Sequence, residues 1–187
     1  MGFAIAEALA AAGADVELVT GPTSLQPENK NIHVHRVTTA NEMFEMCRNH
    51  VKKCTVAVFS AAVADFTPEI QAAQKIKRVG DDLTIRLKPT TDIAGELGKQ
   101  KRADQLFVGF ALETNDALEH ARGKLKRKNL DMIVMNSLED EGAGFGTKTN
   151  KITIIDKSGN IDTFGLKMKS EVARDIVEKI LKRMSDA

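Results

Sequence analysis

Residues 56–66 read Val56-Ala57-Val58-Phe59-Ser60-Ala61-Ala62-Val63-Ala64-Asp65-Phe66, and this stretch decides the fold. The run Val56–Ser60 is apolar and rich in β-branched residues, the pattern of a buried strand. In an open α/β sheet, ligands bind beyond the carboxyl ends of the strands. Ala61, Ala62 and Ala64 keep the path beyond this strand narrow, so a flat ligand can approach the backbone closely. Asp65 can accept hydrogen bonds from a pair of hydroxyls. Ten residues later, Lys75, Lys77 and Arg78 supply cations that can neutralise phosphates. Strand end, acceptor and cations together point to a nucleotide.

The segments on either side alternate between helix and strand. Phe3, Ile5, Ala6, Leu9 and Ala10 share one face of a helix reaching Ala12, and Gly13 is its terminating glycine. Val16–Thr20 reads as a buried strand, turned by Gly21-Pro22. His33–Val37 reads as another strand, with His33 and His35 on one face. A metal site there needs a third ligand. None is evident nearby in sequence, so both histidines read as solvent-facing. Thr39–Val51 is an amphipathic helix with Met43, Phe44, Met46 and Cys47 inward, the methionines filling core.

Beyond Asp65, Phe66-Thr67-Pro68 turns the chain away. Ala72–Arg78 and Leu83–Leu87 are expected as the antiparallel arms of a small flap around Gly80-Asp81-Asp82. The basic run Lys75–Arg78 fits a phosphate site and, equally, a solvated edge that discourages aggregation. Pro89–Asp92 leads into a helix over Ile93–Lys101, with Thr91 or Asp92 as its cap. Leu106–Phe110 is a fully buried strand, and Glu113 and Thr114 start a helix reaching Lys128. Lys124 and Lys128 stand four apart and so share a helix face. They can complement the helix dipole or hold an anion. Phe110 can stack on a base or cap the sheet.

Met132–Asn136 is a further strand. The glycine-rich Gly142–Gly146, with Phe145 inside, is not a Walker loop, because no Gly-Lys-Ser/Thr follows in place. Lys151–Asp156 and Ile161–Gly165 form a hairpin. Lys169–Met184 is an amphipathic helix with Val172, Ile176, Val177, Ile180 and Leu181 inward. The alternation predicts an α/β fold: a Rossmann-like open, mostly parallel sheet with helices on both faces, plus a small β flap and a C-terminal hairpin.

Composition narrows the function classes. With 187 residues, one domain is expected. The formal charge of +1 provides no global field toward nucleic acid or a membrane, so any anion site must be local. Eight Phe with no Trp or Tyr leave few platforms for stacking on single strands. Cys47 and Cys54 match neither a redox nor a zinc spacing and read as reduced thiols. No run is long enough to span a membrane, and the apolar start lacks a basic leader, so the expected compartment is the cytoplasm. The sequence offers no GxSxG, no metal-ligand cluster and no cysteine paired with a motif histidine. It suits chemistry run by positioning and charge neutralisation.

Several ordered motifs carry a resemblance across essentially the whole chain: AAVADF with Lys75-Ile76-Lys77-Arg78, TTDI at Thr90–Ile93, GFALET at Gly109–Thr114, KLKRKNLD at Lys124–Asp131 and GFGTKTNKITII at Gly144–Ile155. Together they resemble the synthetase half of bacterial phosphopantothenate–cysteine ligase, an enzyme of coenzyme A biosynthesis. The resemblance implies that 4′-phosphopantothenate, CTP and cysteine are joined through an acyl-cytidylate, with Mg²⁺ on the phosphates. It implies that Phe59, Ser60 and Ala61 line the cytosine, the last two through backbone, and that Asp65 holds the ribose. Lys75 would act on the leaving group, Asp92 and Ile93 would line the nucleotide, Phe110 would pack beside it, and Lys124 and Lys128 would complete the anion clamp.

The resemblance also implies a homodimer, and a flavin-dependent decarboxylase as fused or separate partner. Family members carry a strand, a Gly-Thr-Arg-type loop and an Asn-His-Ser-Ser-Gly-Lys-like segment before Met-Gly-Phe-Ala, where this sequence starts. The expectation is thus a single synthetase-type nucleotide-binding domain over 1–187 lacking that first strand and phosphate loop. Here Thr90-Thr91 stands where the family has Asn-Pro. Two other classes are open from the residues alone: a nicotinamide-dependent oxidoreductase, and a non-catalytic nucleotide-binding or interaction module.

Overall fold

The computed structural model describes residues 1–78, 82–113, 117–137 and 147–186. The first helix, α1 (Gly2–Ala11), buries two stripes. Ile5 enters the main core, and Ala6 and Ala10 pack on β1 (Val16–Thr20) and β2 (Ile32–Arg36). Gly13, at φ +93°, ends the helix in the left-handed region that a side chain would disfavour. β1 and β2 pair in parallel, from Val16 opposite Ile32 to Thr20 opposite Arg36. Among the described residues they pair with no other strand. β1 is therefore half-buried, where the sequence predicts a buried strand.

Helix α2 (Ala40–Val51) starts with a capping box. Glu42 N–H donates to Thr39 Oγ1 at 3.1 Å, and Thr39 N–H donates to Glu42 Oε2 at 3.0 Å. Met43 is buried and Phe44, Met46 and Cys47 are half-buried in the same core, as the pattern predicts. Both cysteines are free thiols, and burial pushes the Cys47 thiol up to about 11.

β3 (Val56–Phe59) ends one residue before Ser60. The flap differs from expectation. Its only ladder among the described residues joins β4 (Phe66–Pro68) to β5 (Leu87–Pro89), and Glu69 N–H extends it to the Arg86 carbonyl at 2.9 Å. Of the predicted arms Ala72–Arg78 and Leu83–Leu87, only Leu87 lies in a strand. No layer covers their alternating apolar residues: Ile76, Leu83 and Ile85 are 58%, 65% and 56% exposed. The expected turn at Gly80-Asp81-Asp82 falls largely outside the described residues.

Helix α3 (Ile93–Gly98) is shorter than predicted: beyond Gly98 the bonds tighten to three-residue turns, with Gln100 N–H on the Leu97 carbonyl at 3.0 Å and Lys101 N–H on the Gly98 carbonyl at 3.4 Å. β6 (Leu106–Glu113) runs three residues past Phe110. The next strand continues beside it, with Ala111, Leu112 and Glu113 opposite Met135, Asn136 and Ser137, so Glu113 is strand and not helix start. α4 (Ala117–Arg127) leads to β7 (Met132–Ser137). Thr114 and the loop Gly142–Gly146 lie outside the described residues. β8 (Thr149–Asp156) and β9 (Ile161–Met168) form the predicted hairpin with longer arms. α5 (Lys169–Ser185) buries Val172, Ile176, Val177 and Ile180 as predicted, but Leu181 is 47% exposed at the helix flank.

The main sheet has the order β3-β6-β7-β8-β9, parallel through β7 and antiparallel beyond. Alternate residues enter two cores. Phe107, Ile133 and Ile155 face α3 and α4, while Val108, Val134 and Ile154 face α1 and α5. Each such side chain contributes about 1.5–3 kcal/mol on burial. This is the Rossmann-like, mostly parallel α/β fold the alternation predicts, with helices on both faces. Among the described residues, no helix is long and apolar enough to cross a membrane.

Candidate nucleotide site

The site is built first from backbone beyond β3. Phe59 is half-buried and packs its ring against the core, edge-on to Phe107 with centroids 5.4 Å apart. Ser60 is half-buried against the start of α1, where a Cβ on Gly2 would stand 3.0 Å from Ser60 Oγ. The lack of a side chain at Gly2 lets the strand end abut the first helical turn. The N–H groups of such a turn have no partner within the helix and favour an anion.

Ala61 and Asp65 are exposed. Thr90 pins the loop between them: its hydroxyl donates to the Ala64 carbonyl at 2.6 Å and its N–H to the Asp65 carbonyl at 2.9 Å. Thr90 thus does structural work at a position where the resemblance supplied only a departure from Asn-Pro. Lys75, Lys77 and Arg78 are exposed on the flap segment between β4 and β5.

The second part lies on α3 and α4. Asp92 caps α3, its Oδ1 accepting from Gly95 N–H at 3.2 Å. The same oxygen accepts from Lys128 Nζ at 2.8 Å. Burial pushes the Asp92 carboxyl up, but the Lys128 and Gly95 hydrogen bonds and the Lys128 and Arg127 charges outweigh it, and the net shift is downward. Lys124 and Lys128 are both half-buried, and Lys128 N–H donates to the Lys124 carbonyl at 2.9 Å, so they stay one turn apart. Ile93 is 8% exposed and packs in the core with Leu97 and Leu130, which leaves its backbone at the start of α3 as the part open to a ligand.

Phe110 packs with the α1 and α5 core, whereas α3 and α4 cover the opposite face of β6. The sheet therefore separates the Phe110 ring from the Asp92, Lys124 and Lys128 group. Only a ligand crossing the sheet edge would touch both.

Sequence reading missed what places Lys128. Gly98 lies so close that a Cβ there would fall 2.0 Å from the Lys128 carbonyl oxygen. Asn129, at φ +50°, donates from Nδ2 to the Gly98 carbonyl at 2.9 Å. Asp131 then anchors the next strand. It accepts from Phe107 N–H at 2.7 Å and from Lys101 and Lys157, each at 2.8 Å. The only sequence signals were a glycine inside a helical pattern and an aspartate ending KLKRKNLD.

A family model described as DNA/pantothenate metabolism flavoprotein C-terminal domain matches residues 1–184. The chain belongs to this family. Within it, the chain is 58% identical over 181 residues to a cysteine/cysteine sulfinic acid decarboxylase from an unknown prokaryotic organism, covering 97% of this chain and 50% of that protein. It is 40% identical over 180 residues to the coenzyme A biosynthesis bifunctional protein CoaBC of Bacillus subtilis (strain 168), covering 96% and 44%. The chain thus spans about half the length of these curated relatives. A crystal structure of the C-terminal domain of a CoaBC protein superposes with a TM-score of 0.83 at 35% identity, over 100% of this chain and 83% of that one.

Proposed function

We propose that this domain binds CTP and serves the CTP-dependent ligation of 4′-phosphopantothenate with cysteine. The observation that carries the reading is the pairing of Lys128 with Asp92, one helical turn from Lys124, which joins the cap of α3 to the end of α4. The whole-length likeness to CoaBC proteins supports it.

In this reading the phosphopantothenate carboxylate attacks the α-phosphate of CTP. The new bond is acyl–O–P, the α–β bridge bond breaks, and pyrophosphate leaves. The cysteine amine then attacks the acyl carbon, releasing CMP and one proton. Lys124 and Lys128 neutralise phosphate charge, and Lys75 on the flap steadies the leaving group. Asp65, held by Thr90, takes the ribose hydroxyls, and the backbone of Ser60 and Ala61 takes the base. Asp92 is already engaged by Lys128 and Gly95, so the chain's share near the phosphates is cationic. Mg²⁺ would be held mainly by phosphate oxygens and water, and would supply further charge neutralisation.

The flap exposes Phe66, Ile70, Ile76, Leu83, Ile85 and Leu87, from 56% to 83%. Such a contiguous apolar set suits a homodimer contact. A flavin-dependent decarboxylase domain would account for the remaining half of the curated relatives' length.

A second reading has its own support. The relative at 58% identity bears a decarboxylase name. This domain would then be a nucleotide-binding or interaction half that does not ligate. Calorimetric titration with CTP, ATP and NAD, followed by a ligation assay on phosphopantothenate and cysteine, separates the readings. Selective CTP binding with product formation supports ligation, and CTP binding without product supports the second reading. Unchanged CTP affinity in Lys75→Ala, Asp65→Ala and Lys128→Ala would sink the assigned site.

A further inference from the structure

A second cluster lies on the other ladder. Parallel pairing sets Glu17 opposite His33 and Val19 opposite His35, so all four residues project from one face of β1 and β2. α2 covers that face, with Phe44, Cys47 and Val51 in the same core as Val19. His50, in the last turn of α2, is thereby carried to Glu17 and His35. Of the two histidines the sequence places on one face, only His35 takes part; the other two donors, Glu17 and His50, come from β1 and α2.

The donors converge on one oxygen. His35 Nε2 hydrogen-bonds to Glu17 Oε2, and His50 Nδ1 stands 3.6 Å from the same atom. The two imidazole centroids are 4.4 Å apart. One donor atom from each residue lies within 4.8 Å of the others, and among the described residues no other trio of His, Cys, Asp or Glu does this. The side chains of Glu17, His35 and His50 are 41%, 27% and 31% exposed, so they have room to adjust and a path for an ion. Zinc holds nitrogen and oxygen donors at about 2.0–2.2 Å. Small rotations from the present spread reach that geometry.

We propose that Glu17, His35 and His50 form a binding site for a borderline divalent transition ion of the Zn²⁺ type, with water completing the coordination. Two imidazoles and one carboxylate favour such an ion over Mg²⁺ or Ca²⁺, which prefer all-oxygen sets. The site ties α2 to the β1–β2 ladder and uses none of the residues assigned to CTP. It therefore acts as a clamp on this part of the fold and stands whether or not the ligase reading does. His33 is paired with Asp15 at 3.0 Å and lies outside the trio.

The test is calorimetric titration of the chain with Zn²⁺, Co²⁺ and Mg²⁺, with the visible spectrum of bound Co²⁺ and thermal melting alongside. One equivalent of Zn²⁺ or Co²⁺ should bind in preference to Mg²⁺ and raise the melting temperature. Glu17→Gln, His35→Ala and His50→Ala should each weaken binding by at least about tenfold, and His33→Gln should not. If a histidine variant fails to fold, Glu17→Gln, at an exposed position, still decides the matter. The absence of saturable binding, undiminished binding in Glu17→Gln, or a thiolate-to-cobalt band abolished by Cys47→Ser would overturn the proposal.

Discussion

Lys128 Nζ lies 2.8 Å from Asp92 Oδ1, joining the cap of α3 to the residue that follows α4. The Lys128 and Asp92 side chains are 24% and 53% exposed, so solvent screens the pair and its value to folding is about 0.2–1 kcal/mol. A charged hydrogen bond to a ligand phosphate is worth more, about 1.5–3 kcal/mol. Lys128→Met should therefore leave urea stability nearly unchanged and weaken CTP binding by roughly ten- to a hundredfold. Large unfolding with intact binding would mean that the pair is structural.

Asp92→Ala removes a cap as well as a partner. The lost N-cap should cost about 1 kcal/mol of stability. Asp92→Asn keeps the acceptor for Gly95 N–H and should recover most of that loss. Chemical denaturation of both variants checks the expectation.

Gly98→Ala tests how Lys128 is placed. The new Cβ would fall 2.0 Å from the Lys128 carbonyl oxygen, and backbone cannot swing aside as a side chain can. Overpacking of this kind costs about 1–3 kcal/mol. Both the melting temperature and CTP affinity should fall. Gly109→Ala meets Leu130 Cδ1 at 2.5 Å, the end of a flexible side chain, and should be milder.

Asp131 makes stability depend on acid. Burial pushes its carboxyl up, but the bonds from Lys101, Lys157 and Phe107 N–H prevail and hold it below the ordinary value. Its stabilising contribution is present above the unfolded pKa of about 3.9. It is lost as pH falls below that, through the lower folded value. The Asp131 and Lys101 side chains are only 5% and 9% exposed, so breaking the pair should cost about 3 kcal/mol at neutral pH. Stability against pH for wild type and Asp131→Asn should begin to converge as pH falls below about 3.9, and convergence should be complete only below the lower folded value. Parallel curves would place the acid sensitivity elsewhere.

Thr90→Val keeps the backbone bond to Asp65 but removes the 2.6 Å hydroxyl bond to the Ala64 carbonyl. The lost bond is worth about 0.5–1.5 kcal/mol. CTP affinity should drop severalfold with little change in the far-ultraviolet spectrum. An unchanged affinity would detach this loop from the site.

Much of the fold was legible because periodicity reports burial. The runs Leu106–Phe110 and Met132–Met135 are apolar throughout, since each is buried on two faces, and with the half-buried edge strand Val56–Phe59 they form the parallel part of the sheet. The flap misled for the same reason. Leu83-Thr84-Ile85-Arg86-Leu87 alternates like a half-buried strand, yet among the described residues nothing covers it, and only Leu87 enters a ladder. Leu181 also follows the helical period but stands where the neighbouring elements leave the helix flank open.

The sequence by itself determined the α/β alternation, the helix beginning at Thr39, a cap for α3 at Thr91 or Asp92, and the family, because these rest on neighbours within a few positions or on ordered motifs. Only the tertiary structure decided which of those residues meet. It set Ile93 in the core, packed the half-buried Phe59 against it, and placed Phe110 across the sheet from Lys128. It closed Lys128 on Asp92 and brought His50 to Glu17 and His35. Such meetings depend on strand register, on the crossing of helices over the sheet and on the close approach at Gly98. These are properties of packing between distant segments, and no local pattern encodes them.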